Sequence, residues 1–142
     1  ELEALIADNK LAVLYSPSPD EPKAIIDQDR IIQVLYNLIS NAIKHSPQDT
    51  TIEVGVATNS AEVTVSIRDY GPGIPEDDLS KIFEYFQQSS ANTENSVTGI
   101  GLGLAISRDI ITAHQGKIWA DNHVERGAVF SFSIPTVINS PE

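Results

Sequence analysis

The longest periodic segment of the chain runs from Asp27 to Ser46. Ile31, Leu35, Leu38 and Ala42 fall on one stripe at helical spacing, widened by Ile32, Val34, Ile39 and Ile43. Asp27 suits the cap, Asp29 suits the first turn, and Pro47 stops the helix because the residue before proline avoids the α region. The period then changes to two. Ile52, Val54 and Val56 alternate, Val63, Val65 and Ile67 alternate, and Asn59-Ser60 turns between these two strands. Pro75 opens a second helical pattern with Glu76, Asp77 and Asp78 in its first turn and Leu79, Ile82, Phe83 and Phe86 as its stripe. A third pattern follows Gly103, with Leu104, Ile106, Ile110, Ile111 and Ala113 apolar and Gly116 as its stop. Lys117–Asp121 is expected to be a strand, residues 122–127 a turn, and Ala128–Ile134 a last strand with Phe130, Phe132 and Ile134 inward. At the front, Leu2, Leu5 and Ile6 read as the end of a helix and Leu11–Tyr15 as a strand. The proline-rich stretch 16–22 reads as a loop, and Ala24–Ile26 as a short return strand.

Polar residues interrupt these patterns at three places. Asn37, Asn41 and Lys44 share one stripe of the long helix, one turn apart, with His45 beside them. Asparagine is a poor helix former, and a plain solvent face would carry Glu, Lys or Gln. An amide oxygen is a neutral hard ligand suited to Mg²⁺, and a lysine ammonium is a point charge suited to a terminal phosphate. Asp69 stands two residues beyond Ile67, so it shares the core-facing side of that strand. A carboxylate aimed at a core needs a donor, either a ligand such as an adenine amino group or the Gly71-Pro72-Gly73 turn that follows it. The third interruption is Gly99-Ile-Gly101-Leu-Gly103 running straight into a helix. Such a run is either a flexible hinge or an anion cradle, since glycines let backbone N–H groups approach a ligand at the positive end of the helix dipole. It matches neither the dinucleotide fingerprint nor the P-loop. The polar stretch 87–98 before it has almost nothing to bury and is expected to act as a lid or a passive loop.

Composition narrows the function. The chain has 142 residues, which fits one domain, and a net charge of -11, which argues against nucleic acid as a partner. A small polyanion needs a local cation or a metal ion in such a chain. Cysteine is absent, so thiolate metal sites and disulfides are excluded. His114 and His123 read as structural, and no histidine pair has zinc-ligand spacing. No apolar run is long enough to span a membrane, so no direct membrane contact is expected. Methionine is absent too, the initiator included, and the chain is expected to be cut from a larger protein.

The combination resembles the catalytic, ATP-binding domain of bacterial sensor histidine kinases, within the gyrase, chaperone, histidine kinase and mismatch-repair ATPase superfamily. The resemblance covers about Leu11 to Pro135. It rests on an asparagine box (Asn37-Leu-Ile-Ser-Asn41-Ala-Ile-Lys44-His45), a first glycine box (Asp69-Tyr-Gly71-Pro-Gly73-Ile74-Pro75), a phenylalanine box (Ile82-Phe83-Glu-Tyr-Phe86) and a second glycine box (Gly99-Ile-Gly101-Leu-Gly103-Leu104), in that order. It implies an α/β two-layer sandwich: a mixed sheet with helices on one face and ATP between the long helix and the lid. Residues 1–10 would be the end of a linker helix from an upstream dimerisation domain, 11–136 the catalytic domain and 137–142 a tail.

The resemblance also implies roles. Asp69 would bind the adenine amino group, and Asn41 would hold Mg²⁺. Asn37 and Lys44 would serve catalysis at the phosphates, and His45 would stand against the nucleotide. Gly71, Gly73, Ile74, Gly99, Gly101, Leu102, Gly103, Leu104 and Ser131 would complete the nucleotide site. The implied reaction is transfer of the γ-phosphate of ATP to a histidine on the dimerisation domain of the same parent, with a response regulator downstream. By family habit this part of a membrane-tethered sensor is cytoplasmic. Two departures stand out. Tyr85 occupies a position where the family often carries Arg, and no Lys or Arg occurs from Glu84 through Ile106, which leaves Lys44, Lys81 and Mg²⁺ to neutralise phosphate charge. None of the three histidines has the acceptor context. The rival hydrolases of the superfamily resemble one another in carrying a glutamate at position 37, where Asn37 lacks a base for water attack.

Overall fold

In the computed structural model, which describes residues 6–7, 10–16, 24–84 and 102–136, the long periodic segment forms helix α1 over Gln28–His45. The Asp27 carboxylate accepts from the Arg30 N–H at 3.3 Å, closing the first turn as a cap should. The far end stops at Ser46, whose hydroxyl donates back to the Ala42 carbonyl at 2.6 Å. Val34, Leu38, Ala42 and Ile43 of its apolar stripe are buried.

The stripe packs on a five-stranded mixed sheet in the order β1-β2-β3-β5-β4. The strands are β1 (Ala12–Ser16), β2 (Thr51–Thr58), β3 (Glu62–Arg68), β4 (Lys117–Asn122) and β5 (Ala128–Pro135). β1 runs parallel to β2, and every other neighbouring pair is antiparallel. Asn59 closes the β2–β3 turn, its side-chain oxygen accepting from the N–H groups of Ala61 and Glu62 at 2.7 and 2.9 Å. The inward positions Ile52, Ile67, Phe130, Phe132 and Ile134 meet Val34, Leu38 and Ile111 in one core. Two layers result, with the helices on one face of the sheet.

Helix α2 spans Leu102–Ala113. It ends with Gln115 in the left-handed region (φ 63), and the N–H groups of Gln115 and Gly116 return to the carbonyls of Thr112 and Ile111, each at 2.9 Å. The left-handed residue is therefore Gln115 and not the expected stop, Gly116. Glycine is required at 116 for space: a Cβ there would lie 2.0 Å from the Ser133 carbonyl oxygen.

Two expected elements differ. Residues 24–27 are irregular and not a return strand, with Ile25 83% exposed and so unable to serve as an inward strand position. The helix expected from Pro75 is only a 3₁₀ turn over Glu76–Asp78, followed by further turns through Phe83. Asp77 and Asp78 are weak helix formers. Burial of Ile82 and Phe83 holds the segment instead. Phe86, the polar stretch 87–98, the tail 137–142 and most of the first ten residues lie outside the described residues. No helix among the described residues is long and apolar enough to cross a membrane.

Candidate functional site

The inward alternation of β3 carries Asp69 past the end of the strand into the core side, where it is 2% exposed. Its Oδ1 accepts two backbone bonds, from Gly71 N–H at 2.8 Å and from Ala128 N–H at 3.2 Å. The carboxylate thus caps its own turn and ties it to β5, while Oδ2 takes neither bond. The Asp69 N–H donates to the Ala128 carbonyl at 3.0 Å, so the two residues are joined in both directions.

A pocket opens beside this carboxylate, lined by Asn41 and His45 of α1, Asp69, Gly73 and Ile74 of the turn, Ile82, Leu104 of α2, and Ala128 and Phe130 of β5. Phe83 backs Phe130 edge to face, ring centres 6.1 Å apart, and stiffens that wall. One buried acidic group in an otherwise largely apolar cleft suits a flat heterocycle with an amino group.

The glycines of the turn are there for space. A Cβ on Gly71 would lie 2.3 Å from the His45 carbonyl oxygen, so the turn passes directly under the last residue of α1. Gly73 has φ +88, and Gly127 has φ +89 with the Asp69 carbonyl oxygen 1.9 Å from where its Cβ would be. His45 is half-buried, and burial first, then the neighbouring Lys44 charge, pushes its pKa below the ordinary 6.5, with Asp69 opposing. The imidazole is neutral at pH 7 and presents a flat uncharged face.

Asn37 stands one turn before Asn41 and is not part of the pocket wall. Its amide nitrogen donates to the Gly103 carbonyl and to the Ser107 hydroxyl, both at 3.1 Å, clasping α1 to α2. Ser107 is fully buried. A second clasp joins the other ends of the same helices: His114 accepts the Asp27 N–H on Nε2 at 2.9 Å and, through Nδ1–H, donates to the Ile110 carbonyl at 2.8 Å. The expected structural role of His114 is this bond pair. His123 likewise takes the Glu125 N–H within its own turn at 3.1 Å.

Of the predicted site residues, Asn41, His45, Asp69, Gly73, Ile74 and Leu104 come together around the pocket, with Gly71 in contact beneath. Gly103 is at the start of α2, on Asn37. Lys44 is exposed on the last turn of α1 and does not line the pocket. Gly99, Gly101 and the Leu102 side chain lie outside the described residues. Ser131 is a correction. It pairs with Ser66 and Trp119 between Phe130 and Phe132, and since neighbours in a strand point to opposite faces it projects away from the pocket that Phe130 lines. Ile82, Ser107, Asn122, Ala128 and Phe130 were not among the expected site residues. Ala128 and Phe130 carried a signal, the alternation of the last strand, but only the β3–β5 pairing turns it into a site wall.

This architecture matches known proteins. The family described as histidine kinase-, DNA gyrase B-, and HSP90-like ATPase matches residues 26–138. The sensor histidine kinase WalK of Bacillus subtilis is 40% identical over 112 residues, 78% of this chain and 18% of that protein. The nucleotide-free catalytic domain of the histidine kinase ThkA superposes with a TM-score of 0.80 and 36% identity, covering 94% of this chain and 86% of that one. ThkA crystallised in complex with the response regulator TrrA superposes with a TM-score of 0.79 at 34% identity, over 96% of this chain and 37% of that one. The chain thus spans about a fifth of WalK but nearly all of an isolated kinase catalytic domain. With a family match over residues 26–138 and a catalytic domain of the same fold at 36% identity, the chain belongs to the histidine kinase-, DNA gyrase B- and HSP90-like ATPase family, as a histidine-kinase catalytic domain.

Proposed function

We propose that this domain binds ATP with Mg²⁺ and transfers the γ-phosphate to a histidine on a separate dimerisation domain of the same parent protein, from which a response regulator is served. The observation that carries the nucleotide reading is Asp69, a buried carboxylate with one oxygen committed to the turn, in a cleft walled by Ile74, Ile82 and Phe130. An adenine amino group is a fitting donor to Oδ2, and the apolar walls suit the purine ring. The ThkA–TrrA complex supports the response-regulator part. A cytoplasmic setting follows from the same reading.

Asn41, whose side chain carries one neutral amide oxygen, lines the pocket, and among the described residues no group of three or more His, Cys, Asp or Glu could hold a metal alone. That donor set fits an ion that takes most of its ligands from phosphates and water. Mg²⁺ would neutralise phosphate charge there. Lys44, one turn beyond, supplies a point charge for the terminal phosphate. By the same reading Gly99, Gly101, Leu102 and Gly103 would offer backbone N–H groups toward the phosphates. Catalysis then consists of in-line positioning and charge neutralisation. Asn37 favours the kinase over a hydrolase of the same family. It has no proton-accepting group for water, and its amide N–H faces the Gly103 carbonyl, where a glutamate carboxylate would be repelled.

Calorimetry tests the binding part. Asp69→Asn keeps an oxygen for Gly71 and Ala128 but turns an NH₂ toward the base, and it should weaken Mg-ADP binding by about 1.5–3 kcal/mol, roughly ten- to hundredfold. Unchanged affinity removes Asp69 from the base site. The reaction is tested with γ-labelled ATP, with and without the cognate helical hairpin. Label should reach a hairpin histidine, and the domain alone should neither label itself nor release phosphate quickly. Rapid phosphate release by the domain alone would promote the hydrolase. Binding without transfer to the hairpin would make the chain a regulatory nucleotide-binding module.

A further inference from the structure

Ile74 forms one wall of the pocket, yet it sits in a turn with two glycines and two prolines and no sheet partner of its own. Its backbone is held by one side chain, that of Asn122 at the end of β4. The Asn122 carbonyl oxygen accepts from the Ile74 N–H at 2.7 Å, and the Asn122 amide donates to the Ile74 carbonyl at 2.7 Å. An asparagine amide here mimics a strand neighbour: one donor and one acceptor matched to the donor and acceptor of a single residue. Gly73 completes the fit. Its φ of +88 turns the chain so that a Cβ at this position would come within 2.8 Å of the Asn122 oxygen.

The clamp connects to the acidic end of the site. Asn122 pairs with Ala128 in the β4–β5 ladder, and Ala128 exchanges its backbone bonds with Asp69. Ile74 and Asp69, the apolar wall and the hydrogen-bonding group of the pocket, are therefore referenced to the same point of the sheet. A base held between them needs both at fixed separation.

We infer that Asn122 is a positioning residue for the nucleotide base, fixing the Ile74 wall relative to Asp69 without touching the ligand. This rests on the nucleotide-site reading above. Asn122 is exposed at a strand end, so its replacement leaves the core intact.

The test compares the whole domain with Asn122→Ala and Asn122→Asp in Mg-ADP titrations, with thermal unfolding and amide exchange at Ile74 read in parallel. Asn122→Ala removes both bonds. It should deprotect the Ile74 amide and weaken Mg-ADP three- to tenfold while staying folded. Asn122→Asp keeps the acceptor for the Ile74 N–H but sets a carboxylate oxygen against its carbonyl. Its Ile74 amide should stay protected and its affinity should fall between the other two. A merely structural role would lower the melting temperature and leave the affinity of the folded protein untouched. A double-mutant cycle with Asp69→Asn adds a readout such a role cannot move: the loss from Asn122→Ala should shrink when Asp69 no longer holds the base. Wild-type affinity in a folded Asn122→Ala, with the Ile74 amide deprotected, overturns the inference. Absence of Mg-ADP binding by the wild type overturns instead the nucleotide reading on which it rests.

Discussion

The side chain of Asn37 and the carbonyl of Gly103, 66 residues apart in the chain, are joined by a 3.1 Å hydrogen bond that bridges the two helices flanking the pocket. The same amide nitrogen reaches the buried Ser107 hydroxyl, so both of its N–H groups are used. Only a donor works at this position. Asn37→Asp is expected to lower stability by about 1–3 kcal/mol, because a carboxylate would oppose the Gly103 carbonyl and leave partly buried groups unpaired. Ser107→Ala should cost about 1 kcal/mol, the net worth of one hydrogen bond. Urea unfolding measures both, and an Asn37→Asp domain as stable as the wild type would mean that the clasp holds nothing.

Gly127 and Gly71 mark the tightest backbone crossings of the site. Gly127→Ala forces a side chain into a left-handed conformation and onto the Asp69 carbonyl, and it should destabilise by more than about 2 kcal/mol. Gly71→Ala pushes the turn away from the His45 carbonyl and should weaken Mg-ADP binding as well as stability. Thermal unfolding and calorimetry on the two variants separate the effects. A Gly71→Ala domain with wild-type affinity would show that the pocket does not depend on that crossing.

How much of this was legible beforehand differs from element to element. The α1 stripe, its Asp27 cap and the inward alternation of β2, β3 and β5 are local periodicities, and they formed as read. Asp69 was legible for the same reason, being two residues past Ile67 on one strand face. Ser131 was mislaid because the resemblance supplied a residue where the alternation of Phe130 and Phe132 supplied a direction. The clasps by Asn37, His114 and Asn122 join residues 66, 87 and 48 positions apart, and no local pattern encodes such pairs. The segment after Pro75 looked helical by stripe alone. Asp77 and Asp78 are weak helix formers, and tertiary burial of Ile82 and Phe83 holds the segment without a helix.

His45 makes the domain sensitive to mild acid. Its folded pKa lies below 6.5, so in the window between the folded and unfolded values the unfolded chain binds more protons, and stability rises with pH. The contribution is level above about pH 6.5 and declines as pH falls below that value. His45→Phe should abolish that part of the decline. Urea unfolding of both proteins at about pH 7.5 and about pH 5.5 provides the check; equal losses in the two would remove His45 as the source.

Gln115 carries avoidable strain at the end of α2. Its φ of 63 suits glycine better than a residue with a Cβ, so Gln115→Gly should be stabilising by up to about 1 kcal/mol, whereas Gly116→Ala, one residue on, should be severely destabilising through the Ser133 carbonyl. Melting temperatures of the two neighbours should move in opposite directions. A stabilising Gly116→Ala would contradict the packing described.

The two-way bond between Asp69 and Ala128 has a consequence for when the pocket comes into being. During synthesis α1, β2, β3 and the Asp69 turn emerge early, but the partner that orients the carboxylate arrives 59 residues later, inserted between β3 and β4. A ribosome-held chain ending before residue 128 has every asparagine of the helix and still no oriented acid. Competence for ligand thus comes with the closing of the sheet, as one event with the β3–β5 pairing, the longest-range strand pairing among the described residues. A ligand present at that moment draws the equilibrium toward the closed sheet by mass action, so nucleotide would act as a folding effector of its own domain.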